Sequence, residues 1–124
     1  MENGEVKIPT EFTLLGNKIS VGFNEQLCDK HNALGLTKFS ENVIVLTSCL
    51  NGQDLPEDTI MHTYWHETVH QILDKMGESE LRDNEKFVDL LGGMIYQVLK
   101  TSVYDNGRKN KTSIGVNKRS RKRA

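Results

Sequence analysis

The stretch from residue 85 to 99 constrains this chain more than any other. Phe87, Leu90, Leu91, Met94, Ile95, Val98 and Leu99 recur at spacings of three and four. That is the period of a helix with one apolar face. Such a helix is marginal alone in water, so its stripe must pack on another element of the same domain. The pattern predicts a helix from about Ser79 to Val103. A preceding helix is predicted from about Pro56 to Met76. Pro56 suits a first helical position, Glu57 and Asp58 place acids in the first turn, and Gly77 supplies the stop.

The first half of the chain has a different period. Residues 8–15 and 18–23 alternate apolar and polar around Gly16-Asn17, which predicts a hairpin with a two-residue turn. Residues 24–34 read as a connecting loop. A second strand pair, 35–39 and 42–47, is expected around Ser40-Glu41, with Val43-Ile44-Val45-Leu46 the most β-prone run of the chain. Residues 51–56 read as a loop. Strands followed by helices imply an α+β domain, here a small antiparallel sheet of about four strands and two packed helices.

At 124 residues there is room for one domain with one core. The net charge of −1 hides an asymmetry. Residues 1–104 carry eight Lys/Arg against sixteen Asp/Glu, and residues 105–124 carry eight Lys/Arg against one Asp. The expected division is therefore a domain over 1–104 and a disordered basic tail over 105–124, too polar to offset its ordering entropy. Such a tail suits nucleic acid or the acidic body of a neighbouring copy as a partner. No window approaches a membrane span, and the first residues lack the apolar core of a secretory signal. Cys28 and Cys49 are isolated, too few for a disulfide framework. A cytoplasmic location with reduced thiols is the expectation. Monomer and dimer stay equally open.

Chemistry concentrates at residues 66–70, His-Glu-Thr-Val-His. Two histidines four apart on a helix share a face, with Cβ atoms roughly 6 Å apart. Both imidazoles can then meet one metal ion. Glu67 is rotated about 100° from His66, so it can reach water at the metal without binding the ion itself. A catalytic zinc site expects three protein ligands and a water. No histidine follows His70, so the third ligand must be an acid. Asp74 would crowd the wall of the motif helix, and Glu78, Glu80 and Asp83 fall at the turn between helices. Glu85 and Asp89 lie away from the apolar stripe of the second helix. Glu85 is therefore the expected third ligand, and Asp89 the acceptor for the free ring nitrogen of a ligand histidine. Gly92 lies on their face one turn on, where a small residue lets helices approach. His62, one turn before His66, reads as a first-turn helix residue, and Trp65 as core.

His66-Glu67-Thr68-Val69-His70 followed by Asn84-Glu85-Lys86-Phe87-Val88-Asp89 resembles the gluzincin pattern HExxH…NExxxD. The chain also resembles small phage-type metallopeptidases and, more distantly, the ImmA/IrrE-like peptidases. The resemblance implies one Zn²⁺ held by His66, His70 and Glu85, Glu67 as general base, and Asp89 steadying a ligand histidine. It implies hydrolysis of peptide bonds in a protein substrate, in the host cytoplasm if phage-encoded. The large C-terminal domain of big gluzincins has no counterpart here. A metal-holding regulatory module with weak or no turnover is the alternative expectation. An extended peptide would add to a sheet edge, with 42–47 the expected edge. Tyr64, Tyr96, His31, His62 and Arg82 are the candidate oxyanion donors, none preferred.

Overall fold

The computed structural model describes residues 7–26 and 33–105. The expectations for Cys28, for His31 and for the basic segment beyond Asp105 lie outside the described residues. The elements run β1 (Glu11–Leu14), β2 (Asn17–Phe23), β3 (Gly35–Lys38), β4 (Val43–Leu46), β5 (Cys49–Leu50), β6 (Gln53–Asp54), α1 (Glu57–Met76), α2 (Ser79–Arg82) and α3 (Glu85–Thr101). This is an α+β domain. Among the described residues no helix is long and apolar enough to cross a membrane.

Both expected hairpins form, β1 with β2 and β3 with β4. The first turn is displaced by one residue. Its centre is Leu15-Gly16, both at positive φ (47° and 84°), so that Leu14 faces Asn17 across the ladder. Two positive φ values give the turn the twist of its flanking strands. The Asn17 side chain donates back to the Leu14 carbonyl at 3.2 Å. The loop expected at 51–56 supplies the turn and second strand of a small ladder, β5 with β6, closed by Asn51-Gly52 at φ 53° and 78°.

The sheet order is β1-β2-β4-β3, and β2 runs parallel to β4. The sheet is therefore mixed rather than antiparallel. Strand apolarity explains the order. Ile44 and Leu46 of β4 are fully buried beside Ile19 and Val21 of β2, so the most apolar strand takes a central place. The weaker β3 is pushed to the edge. The same result overturns 42–47 as the receiving edge, since β4 is paired on both sides.

Helix α1 ends as expected. Gly77 adopts φ 78°, its N–H bonds Asp74 O, and Glu78 N–H bonds Leu73 O. One face of α1 sends Tyr64 into the sheet cluster of Ile19, Val21, Ile44 and Leu46, with Trp65 packed alongside. Another face sends Val69 and Leu73 against Val88 of α3. Helix α1 is thus the central layer, between sheet and α3. The single second helix expected from Ser79 is broken. Helix α2 stops at Arg82, and the chain restarts at Asn84, whose side chain accepts from Phe87 N–H at 3.0 Å. That cap competes with helix continuation, and it places Glu85 in the first turn of α3.

Candidate metal centre

Gly92 sets the distance between the two helices that carry the site. A Cβ built there would lie 3.0 Å from His66 N and from the carbonyl C and O of Trp65. All three are backbone atoms and cannot swing away. Gly92→Ala should therefore force α1 and α3 apart and cost about 1–3 kcal/mol. A denaturant midpoint unchanged from wild type would contradict this reading.

Across that contact the predicted residues meet. His66 Nε2 is 3.0 Å from Glu85 Oε1, and His70 Nε2 is 3.2 Å from Glu85 Oε2. His66 Nδ1 is 3.0 Å from Asp89 Oδ1. With Asp89 as acceptor, Nδ1 carries the ring proton and Nε2 turns its lone pair toward the centre shared with His70 and Glu85. The ligand atoms of His66, His70 and Glu85 all lie within 4.8 Å of one another, and the group can hold a metal ion. Donors around a tetrahedral ion with bonds of ~2.0–2.1 Å stand roughly 3.3 Å apart. The two histidine–carboxylate separations are made to different oxygens of Glu85, and one donor from each residue falls within 4.8 Å of the others, a spread that one ion can draw together. Asp89→Ala should weaken metal affinity by about 10–100-fold, because the ring of His66 loses its orienting partner. Titration against a chelating dye measures it, and unaltered affinity would reduce Asp89 to a surface residue.

The second histidine is held from behind. The Phe39 ring meets His70 edge-on at 6.2 Å. The guanidinium of Arg82 lies over Phe39, 4.7 Å from the ring centroid. Arg82 itself donates to Asp74 at 2.8 Å and to Asp83 at 2.9 Å. Burial lowers the His70 pKa, Glu85 pulling it back up, His66 lowering it further and the Arg82 main chain raising it. A neutral imidazole is the form that binds a metal. Sequence reading missed this support, because Phe39, Asp74 and Arg82 carry no local signature of it.

Glu67 stands beside the ligand set without joining it. It is buried, and burial pushes its carboxyl up to about 7, with His66 working against the rise and Glu85 adding to it. Gly35 at the start of β3 sits directly over it. A Cβ on Gly35 would lie 2.5 Å from Thr63 Cγ2 and 3.1 Å from Glu67 Oε2. A glycine opening a strand signals such a close approach. Farther along β3, the fully buried Gln71 of α1 donates to Thr37 Oγ1 at 2.7 Å and to Lys38 O at 3.4 Å. Gly35 and Gln71 together dock the edge strand along the motif helix. Two hollows of about 360 and 410 Å³ share Gly35, His66 and Glu67 as walls and form one groove beside β3.

Of the oxyanion-donor candidates, Tyr64 is buried in the sheet core. Tyr96 donates its hydroxyl to Asp58, and Arg82 is committed to Asp74 and Asp83. His62 lines the groove, with Nε2 buried 3.6 Å from Asp89 Oδ1. Comparisons with protein-family models, with curated proteins and with solved structures find no match to this chain.

Proposed function

We propose that this chain is a zinc-dependent peptidase that cleaves extended segments of a protein substrate. The observation that carries the reading is the position of Glu67. A buried carboxyl, pushed up by burial to about 7, lies between a His-His-Glu group that could hold a metal and a sheet edge that no other described strand pairs. A site that only held a metal for stability would have no use for that carboxylate.

Zinc, when bound by His66, His70 and Glu85, supplies Lewis-acid polarisation of the scissile carbonyl and acidifies water at the site. The chain's residues supply the rest. Glu67 accepts a proton from the attacking water as the new C–O bond forms. It returns that proton to the nitrogen as the C–N bond breaks, so an amide and water become a carboxylic acid and an amine. Backbone N–H and C=O groups along the side of β3 that no other described strand pairs would bind a peptide in extended form by strand addition, with little regard to its side chains. Asp89 holds the ring of His66, and the Phe39–Arg82 stack holds that of His70.

A second reading has its own observation. Of the four described donor candidates only His62 lines the groove, so a metal-holding regulatory module with little turnover also fits. Metal content together with hydrolysis of a denatured protein substrate, with and without chelator, separates the two readings. Stoichiometric zinc with chelator-sensitive cleavage supports the peptidase. Stoichiometric zinc with no cleavage of any peptide overturns it in favour of the module.

A further inference from the structure

The ladder bonds fix which way each main-chain group of β3 points. Thr47 N–H donates to Leu34 O at 3.2 Å, so Leu34 turns its main chain toward β4. Direction alternates along an antiparallel strand. Leu36 and Lys38 therefore turn to β4 as well, opposite Val45 and Val43. The far side of β4 agrees. Asn42 O and Leu46 O accept from Ser20 N–H and Asn24 N–H on the β2 side, at 2.9 and 2.8 Å. Val43 and Val45 are thereby left to face β3. Gly35 and Thr37 then point their N–H and C=O groups outward, where among the described residues they meet no partner.

The side-chain positions of the same two residues face α1. A Cβ on Gly35 would meet Thr63 and Glu67, and Thr37 Oγ1 accepts from Gln71. Their ladder partners, Leu46 and Ile44, are fully buried. Leu36 and Val45 between them belong to the opposite face of the sheet.

We propose that Gly35 and Thr37 are the two main-chain docking points beside the metal centre, and that they hold an extended peptide by alternate residues only. Peptide residues that bond β3 alternate with residues that turn their N–H and C=O groups away. In antiparallel addition, the more stable ladder per residue, the bonded residues also turn their side chains to α1. One enters the hollow of about 360 Å³ walled by Leu34, Thr59 and His62, and the other the hollow of about 410 Å³ walled by Thr37, Phe39 and His70. Substrate choice is then made at two residues with an unread residue between them. The inference rests on a peptide as ligand, as the proposed function has it, but not on turnover.

Two threonine octapeptides of one composition test it, each with half of its residues N-methylated. In the first, methylated and unmethylated residues alternate. In the second they come in pairs, so that no two N–H groups stand two residues apart. The protein is the full chain with Glu67→Gln, loaded with zinc, which lacks the proton acceptor for cleavage. The alternating peptide should slow amide hydrogen exchange at Gly35 and Thr37 by about tenfold or more, while Leu36 and Lys38, already bonded to β4, stay as they were. The paired peptide should bind at least about tenfold more weakly. Equal binding of the two peptides overturns the proposal. So does unchanged exchange at Gly35 and Thr37 in saturating alternating peptide. Slow exchange at both residues before any peptide is added also overturns it, since that edge would already be covered. Protection at Glu11 and Thr13 instead, the outward residues of β1 given the Val21 N–H bond to Thr10 O, overturns the choice of edge. Absence of cleavage by the wild-type chain, by contrast, removes the peptidase reading and leaves this docking in place.

Discussion

Glu67→Gln should lower peptide hydrolysis by a factor on the order of 10²–10⁴, the range for loss of a positioned proton-transfer group, while metal content stays as in wild type. The substitution keeps size and hydrogen-bonding shape but removes the group that takes a proton. Glu67 is buried over the helix face and walled by Gly35, so an amide of the same volume fits. Burial already disfavours the charged form, so the variant should fold at least as stably as wild type. Elemental analysis and turnover measured on one preparation make the test decisive. Equal turnover in wild type and variant would remove Glu67 from the chemistry and with it the peptidase reading.

His70→Ala should abolish stoichiometric metal binding. His70 is buried against Phe39 and reaches Glu85 at 3.2 Å. No other described histidine lies where it could replace the lost nitrogen, because the Nε2 of His62 is turned toward Asp89. The expected readout is metal falling to background, and with it the rise in melting temperature that added zinc gives the wild type. Glu85→Ala should act in the same direction. It should also leave both imidazoles facing each other with no anion between them. Full occupancy in either variant would show that the ion sits elsewhere.

The helical half of the molecule was legible because its signals are local. Gly77 ends α1 as expected and Glu57 and Asp58 fill its first turn, with Pro56 at the extended cap position rather than the first helical one, and the His66–His70 spacing places two rings on one face whatever surrounds them. Asn84 carries a cap signal of its own, and the helix expected from Ser79 is broken there. The Asn51-Gly52 turn was likewise available as a hairpin signal within what reads as a loop. The turn at Leu15-Gly16 was misplaced because leucine rarely takes positive φ, so Asn17 looked the better turn residue. The parallel pairing of β2 with β4 had no local trace. Either hairpin alone is compatible with several sheet orders, and only competition for the buried centre selects among them.

From its own pattern the chain determines a helix that presents two imidazoles and a carboxylate at set angles, because helical geometry depends only on neighbours within a turn. Six acids between residues 74 and 89 compete for the third place in the sequence, and packing brings one of them to both rings: Gly92 lets α3 close on α1, and among the described residues Glu85 meets His66 and His70 together. Packing alone also made β3, rather than β4, the edge beside Glu67 among the described strands. Both outcomes depend on contacts between residues far apart in sequence, which no local spacing encodes.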